Sequence, residues 1–379
     1  MADTTPKRVL VYRLGSLGDT LVAFPAFHLI ARAFPHAERR LLTNLPVAAK
    51  APPAAAVLDN TGLVQGYMRY TAGTRSIREL LRLAFEIRRW RPELLIYLTP
   101  ARGVDSAQRD AKFFRMCGIP RQIGAPVTQG MQLNYYGREK PLASLWETEL
   151  EPEAARLARN ISELGDARLD DPASWDLHLT PQEHADAVAA IGPVALQREI
   201  LAVSVGTKWQ SKDWGLENWR ALLAELARDF PGRALLLAGS AEEATLSEEA
   251  AAGWQQNGGG PVVNLCGRLT PRESAAALAR ARLFIGHDSG PMHLAAAVGT
   301  RCVAIFAALN LPRQWFPYGP GHRVVYHRVE CAGCNLEFCI EQKKKCILSI
   351  TVSEVLEAIH KAMSERELPL NDLVQPTLM

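Results

Sequence analysis

The chain reads as an α/β protein with two parallel sheets, one in each half, and three observations carry that reading. Apolar runs of strand length alternate with segments of helical period along most of the 379 residues, and parallel strands covered on both faces read as such unbroken apolar runs. A strand-to-helix junction suited to an anion occurs once in each half, at RLGSLGDT (13–20) and at HDSGPMHLAAAVG (287–299). Between them the stretch GDARLDDPASWDLHLTP (165–181) breaks the alternation with Asp, Pro and Gly, the composition of a domain boundary. The expected domains are therefore 1–174 and 175–350, followed by a final segment, 351–379.

Strands are expected at 8–14, 39–43 and 94–98 in the first half, and at 201–205, 234–238, 262–265, 283–286 and 302–306 in the second. Helices are expected at 21–34, 77–90, 216–230 and 271–281 from their 3.6-residue period. The last carries its own start signal: Thr270 can cap, Pro271 suits the first turn and Glu273 completes a capping box.

Composition bounds the function. The chain is 48% hydrophobic and 22% charged, enough for two cores. Its 43 basic residues against 40 acidic ones give a net charge of +3, too even for a general polyanion or nucleic-acid binder. The clusters RRWR (88–91) and KKK (343–345) read as solvated faces in preference to lipid head-group sites. No run approaches the ~18 apolar residues of a spanning helix, and the N-terminus enters a strand without a signal-peptide pattern. A cytoplasmic protein, soluble or peripheral, is expected; seven cysteines, an odd number, also argue against a secreted disulfide scaffold.

At the first junction Gly15 and Gly18 permit a tight turn, and Asp19 falls at the start of the next helix. Two roles are open to Asp19: a helix cap, or a general base facing a substrate hydroxyl. The loop lacks dinucleotide-fingerprint spacing, and no acid follows the second strand, which closes on Thr43 and Asn44. In the second half, AVSVGTKWQSKDWGLENW (202–219) brings Thr207, Lys208 and Lys212 to the carboxyl edge of a sheet. A parallel sheet puts the HDSG corner on that same edge. There Ser289, Gly290 and the following backbone N–H groups open a helix and can receive a phosphate.

The set RxGxxGD, GTKWxxKxW and DSGPMHLAAAxG, followed by a cysteine-rich tail and a last helix, resembles glycosyltransferase family 9, the ADP-heptose:lipopolysaccharide heptosyltransferases. The resemblance implies a GT-B architecture, two Rossmann-like domains with parallel sheets facing across a cleft, the first on the acceptor side and the second binding the nucleotide sugar. The last helix, 352–366, would cross back to the first domain. Asp19 then matches the catalytic base and Lys212 the lysine at the donor diphosphate, with Lys208 close by. Thr207 matches a phosphate or ribose contact, Asp288 an acid near sugar and diphosphate, Ser289 and Gly290 the backbone anion site, and His293 a further cleft residue. Glu242 or Glu243 would hold the ribose, and Leu269 would lie against the base.

The implied reaction is an inverting transfer of a sugar, heptose in this family, from a nucleotide diphosphate donor such as ADP-heptose to a lipopolysaccharide core or related lipid-linked glycan. No metal is required for it, and the place of work is the inner face of the cytoplasmic membrane. Two other readings stay open: a nucleotide-sugar epimerase or hydrolase on a similar scaffold, and a non-catalytic nucleotide-binding module in which Asp19 is only a cap. The first-domain arginines Arg102, Arg109 and Arg121 read as surface residues before lipid-phosphate ligands.

Cys331, Cys334, Cys339 and Cys346 form a C-x2-C-x4-C-x6-C set. Four near thiols are a metal-ligand pattern, although the spacing fits no common zinc module. A structural zinc or iron site, and reduced or redox-active thiols packing the linker before the last helix, are both open. Cys117, Cys266 and Cys302 stand in apolar segments and read as core.

Overall fold

The structure is a computed structural model describing residues 5–45, 52–132, 150–365 and 377–378. It divides into two compact units, Met1–His178 and Leu179–Met379; the division falls inside the expected 165–181 boundary stretch, a little beyond 174.

The first unit holds a five-stranded parallel sheet in the order β3-β2-β1-β4-β5. Its strands are β1 (Arg8–Tyr12), β2 (Glu38–Asn44), β3 (Gly66–Tyr70), β4 (Leu94–Tyr97) and β5 (Arg121–Ile123). Its helices are α1 (Leu17–Leu21), α2 (Phe24–Ala33), α3 (Ala55–Leu58), α4 (Ile77–Trp90), α5 (Val104–Met116) and α6 (Glu153–Asn160). The helix expected at 21–34 is two helices, because Pro25 in the first turn of α2 lacks the N–H that a continuing helix would use. The strand expected at 8–14 ends at Tyr12, which frees Arg13 and Leu14 for the loop. β1 is central, pairing with β2 and β4, and its Leu10 and Tyr12 lie in a core with Leu42, Leu95, Tyr97, Leu83, Ile87 and Phe114.

The second unit repeats the pattern with a seven-stranded sheet, β12-β11-β10-β9-β6-β7-β8. The strands are β6 (Ile200–Ser204), β7 (Ala234–Leu237), β8 (Val262–Asn264), β9 (Leu283–His287), β10 (Cys302–Phe306), β11 (Arg323–Tyr326) and the two-residue β12 (Thr377–Leu378), all parallel to their neighbours. The helices are α7 (Pro181–Ile191), α8 (Pro193–Leu196), α9 (Leu216–Asp229), α10 (Ala244–Ala251), α11 (Pro271–Leu278), α12 (Gly290–Ala297), α13 (Lys345–Leu348) and α14 (Val352–Ser364). The start of α11 is as expected: Thr270 and Glu273 form a capping box, with Pro271 in the first turn.

The last helix, expected at 352–366, spans Val352–Ser364. Val355, Ala358, Ile359 and Ala362 recur at helical spacing on α14, and this stripe is buried in the second unit's own core beside Leu222, Leu226, Val303 and Val325. α14 therefore contributes its apolar face to the second unit's core. Cys117, Cys266 and Cys302 are buried, as expected of core thiols.

Candidate functional site

In an open parallel sheet, ligands bind at the carboxyl ends of the strands where the strand order reverses. In the second unit that point lies between β6 and β9, whose ends are in register, Ser204 opposite Gly286. The loop after β6 carries Thr207, Lys208 and Lys212; the turn after β9 carries Asp288, Ser289 and Gly290. Lys212 Nζ donates to Asp288 Oδ2 at 2.6 Å and to the Asp288 carbonyl at 3.3 Å, and it lies 5.2 Å from the ring centre of Trp209. This pair is largely shielded, the two side chains being 16% and 10% exposed. Ser289 is the N-cap of α12 with extended backbone, and its buried hydroxyl has no hydrogen-bond partner among the described residues. A buried hydroxyl, the first-turn N–H groups of α12 and an ammonium on one sheet edge are groups that can receive a phosphate.

His287, absent from the sequence candidates, holds this arrangement together. It is wholly buried at the end of β9, its Nε2 accepts the Trp214 N–H at 3.3 Å, and the Trp219 ring stands edge-on at 5.2 Å. Burial pushes its pKa down to about 4, so the ring is neutral and can accept that hydrogen bond. Trp214 also donates its indole N–H to the Ile350 carbonyl at 2.8 Å. Lys344 Nζ donates to the Asp213 carbonyl at 2.8 Å and to its carboxylate at 3.2 Å. Within the basic run 343–345, Lys344 is thus an anchor for the Lys212 loop and not part of a solvated face.

The other expected donor residues divide. Glu243 Oε2 accepts the Ser240 N–H at 2.7 Å, and its side chain passes so close over Gly206 and Gly239 that a Cβ at either would stand 2.2 and 2.5 Å from it. The acid is therefore held across the ends of β6 and β7, while Glu242 is exposed. Leu269 is half-buried in the turn after β8, where Gly267 packs directly on Ala241. Thr207 is half-buried, Lys208 exposed and His293 buried.

The corresponding edge of the first unit lies between β1 and β4. Gly15 adopts φ +129°, and a Cβ there would meet the Asp19 side chain at 2.3 Å; only glycine lets the carboxylate fold back over the turn. Asp19 Oδ2 accepts the Ser16 N–H at 2.8 Å and the Ser16 hydroxyl at 3.2 Å, a capping box at the start of α1. Gly15 N–H in turn donates to Asn44 Oδ1 at 2.8 Å. Capping occupies one carboxylate oxygen and leaves the half-buried acid its other oxygen, so the two roles open to Asp19 are compatible.

Beneath this loop lies a buried ionic cluster that sequence spacing did not reveal. Arg13, 1% exposed, donates to the Asp19 carbonyl from Nε at 2.9 Å and to the Leu98 carbonyl from Nη1 at 2.5 Å. Glu153 on α6 lies 3.5 Å from Arg13 Nη1 and accepts two hydrogen bonds from Arg156, at 2.9 and 2.6 Å. Arg156 also donates to the Thr99 carbonyl at 2.8 Å. The cluster ties the ends of β1 and β4 to α6 and fixes the backbone of Asp19.

Arg102 is committed to Asp110 and lies 3.3 Å from the Tyr97 hydroxyl. Arg109 and Arg121 are surface residues, as their sequence context suggested. The four tail cysteines are unbridged, and burial with the neighbouring Cys334 thiol raises the Cys331 thiol. Among the described residues no group of three His, Cys, Asp or Glu side chains is placed to hold a metal ion.

Residues 118–345, more than half the chain, match the family described as Glycosyltransferase family 9 (heptosyltransferase). The chain belongs to glycosyltransferase family 9. Lipopolysaccharide heptosyltransferase 1 of Pseudomonas aeruginosa is 26% identical over 354 residues, 88% of each chain. Among solved structures, a glycosyl transferase family 9 protein from Veillonella parvula superposes with a TM-score of 0.68 at 18% identity, covering 94% of this chain and 97% of that one. The ADP-heptose lps heptosyltransferase II of Escherichia coli gives 0.60 at 18% identity, covering 94% and 98%. These likenesses agree with the two parallel-sheet, Rossmann-like units of this glycosyltransferase. No helix among the described residues is long and apolar enough to cross a membrane.

Proposed function

We propose that this glycosyltransferase moves heptose from ADP-heptose to a lipopolysaccharide core acceptor, with inversion, working peripherally at the inner face of the cytoplasmic membrane. The observation that carries the reading is the arrangement at the β6/β9 edge: Lys212 held by Asp288 beside the Ser289 hydroxyl, which has no partner among the described residues, and the start of α12. The names of the Pseudomonas relative and of the Escherichia fold neighbour supply the sugar and the nucleotide.

In this reading Asp19 removes the proton from an acceptor hydroxyl as that oxygen bonds to the anomeric carbon. The bond from that carbon to the diphosphate breaks on the opposite face, and ADP departs with the electron pair. Ser16 holds one oxygen of Asp19 and aims the other. Lys212, with two hydrogen bonds to Asp288, keeps a third N–H for the departing diphosphate; the Ser289 hydroxyl and the backbone of Gly290 meet its other oxygens. Glu243 lies across the strand ends where a ribose would sit, and Leu269 would cover the base.

The test is a labelled-donor assay with and without core acceptor, paired with calorimetric titration of ADP, UDP and GDP. Transfer that requires acceptor, with ADP binding most tightly, is expected. Donor consumption without acceptor would favour an epimerase or hydrolase, and absence of ADP binding would remove the donor assignment.

A further inference from the structure

Helix α4 carries apolar side chains on two faces. Its inward face buries Leu83, Ile87 and Trp90, yet Ile77, Leu81 and Phe85 are 74%, 65% and 67% exposed. Spaced by four, these three side chains form one stripe along the outer surface. At about 100° per residue, Arg78, Arg82, Arg88 and Arg89 flank the stripe on that same face, and all four are exposed. The helix's two acids, Glu79 and Glu86, lie toward its flank and are half-buried; Glu79 is occupied by the Thr71 N–H and the Thr74 hydroxyl. The surface continues onto α5, since Arg88 Nη2 donates to the Met116 carbonyl at 2.5 Å and Met116 is 57% exposed. Beside Met116, Lys112 and Arg115 line an open groove of about 770 Å³.

We propose that this face of the first unit docks on an anionic phospholipid bilayer, with Ile77, Leu81 and Phe85 entering the acyl boundary and the four arginines meeting lipid phosphates. Large apolar side chains together with clustered arginines and no intervening acid match an anionic interface. A second copy of the chain is a poor occupant: a two-fold contact sets each patch against itself and would oppose the two sets of arginines. The inference rests on the reading of a lipid-linked acceptor, and it names the surface that delivers the enzyme to it.

Flotation of the full chain with vesicles of phosphatidylcholine, with and without phosphatidylglycerol, tests the proposal. Binding is expected only to the anionic vesicles, weakening with salt. The variant I77Q/L81Q/F85Q should lose binding, and R78Q/R82Q/R89Q should weaken it by about fivefold per arginine, roughly a hundredfold in all. Both should keep the wild-type circular dichroism and the wild-type transfer rate to a detergent-solubilised acceptor. Absence of wild-type flotation, or unchanged flotation of both variants, overturns the proposal. So does a wild-type dimer in sedimentation that the apolar variant dissolves, which would assign the face to a second copy. Failure of the heptosyltransferase reading shows separately, as absence of transfer to the solubilised acceptor.

Discussion

Replacing Glu153 by Gln tests whether the buried cluster under the Asp19 loop does what its geometry implies. The carboxylate is fully buried and serves two guanidiniums that are each 1% exposed: Arg156 at 2.6 Å and Arg13 at 3.5 Å. Burial already pulls the Arg13 pKa down, and Glu153 is the main group raising it again. Glutamine keeps the shape and one acceptor but takes from two buried cations their nearest counter-charge, a loss of about 3–5 kcal/mol. With a urea slope near ~2 kcal/mol per M, the midpoint should fall by roughly 2 M. The units can unfold separately, so hydrogen exchange across a urea series is the suitable assay: peptides from β1 and β4 should lose protection early while those from β6 and β9 keep theirs. At low urea, the transfer rate should fall more than ADP affinity, because Arg13 fixes the Asp19 backbone and the proposed anion receptor is built from the second unit's own residues. A destabilisation below about 1 kcal/mol, or an equal shift in both units, would refute the argument.

Asp19→Asn should abolish transfer and leave ADP affinity unchanged in titration; near-normal turnover would leave Asp19 as a cap alone. Lys212→Ala should lower the transfer rate by about 10²–10³-fold, as expected for loss of one well-placed donor to a developing oxyanion, and should weaken ADP binding; unchanged donor affinity would count against it. Stability should fall with acid between about pH 6.5 and pH 4. His287 and His322 are both buried with pKa values pushed down to about 4, so the unfolded chain takes up their protons first, and their contribution, intact above about pH 6.5, is lost as pH falls toward 4. By about pH 5 the loss is roughly 2 kcal/mol per histidine, and His322→Asn should remove its share from the pH dependence of the urea midpoint.

The parts of the fold legible in the sequence were those with buried, unbroken apolar strands: ILAVS in β6, ALLL in β7, LFIGH in β9 and CVAIF in β10. Strands that escaped notice lack that signature: β3 (GYMRY) stands at a sheet edge with only two of its residues buried, β5 (RQI) has three residues, and β11 (RVVY) opens on an arginine. Helix caps were readable because they are local, as at Thr270 and Glu273. The Arg13–Glu153 contact was not, because it joins residues far apart in the chain, and a charged side chain on α6 reads as surface until its partner is known. His287 and Lys344 were missed for a related reason: each acts on the Lys212 loop through a backbone group, and no residue pattern marks a main-chain contact. The candidate residues of the short motifs stood out because glycine, acid and hydroxyl occur there in one tight turn.

The two glycines under acids, Gly15 below Asp19 and Gly206 below Glu243, share one consequence. In each unit the first strand in chain order is followed closely by a residue whose missing side chain is the seat of a carboxylate. A single methyl group at either place would evict the acid from its berth.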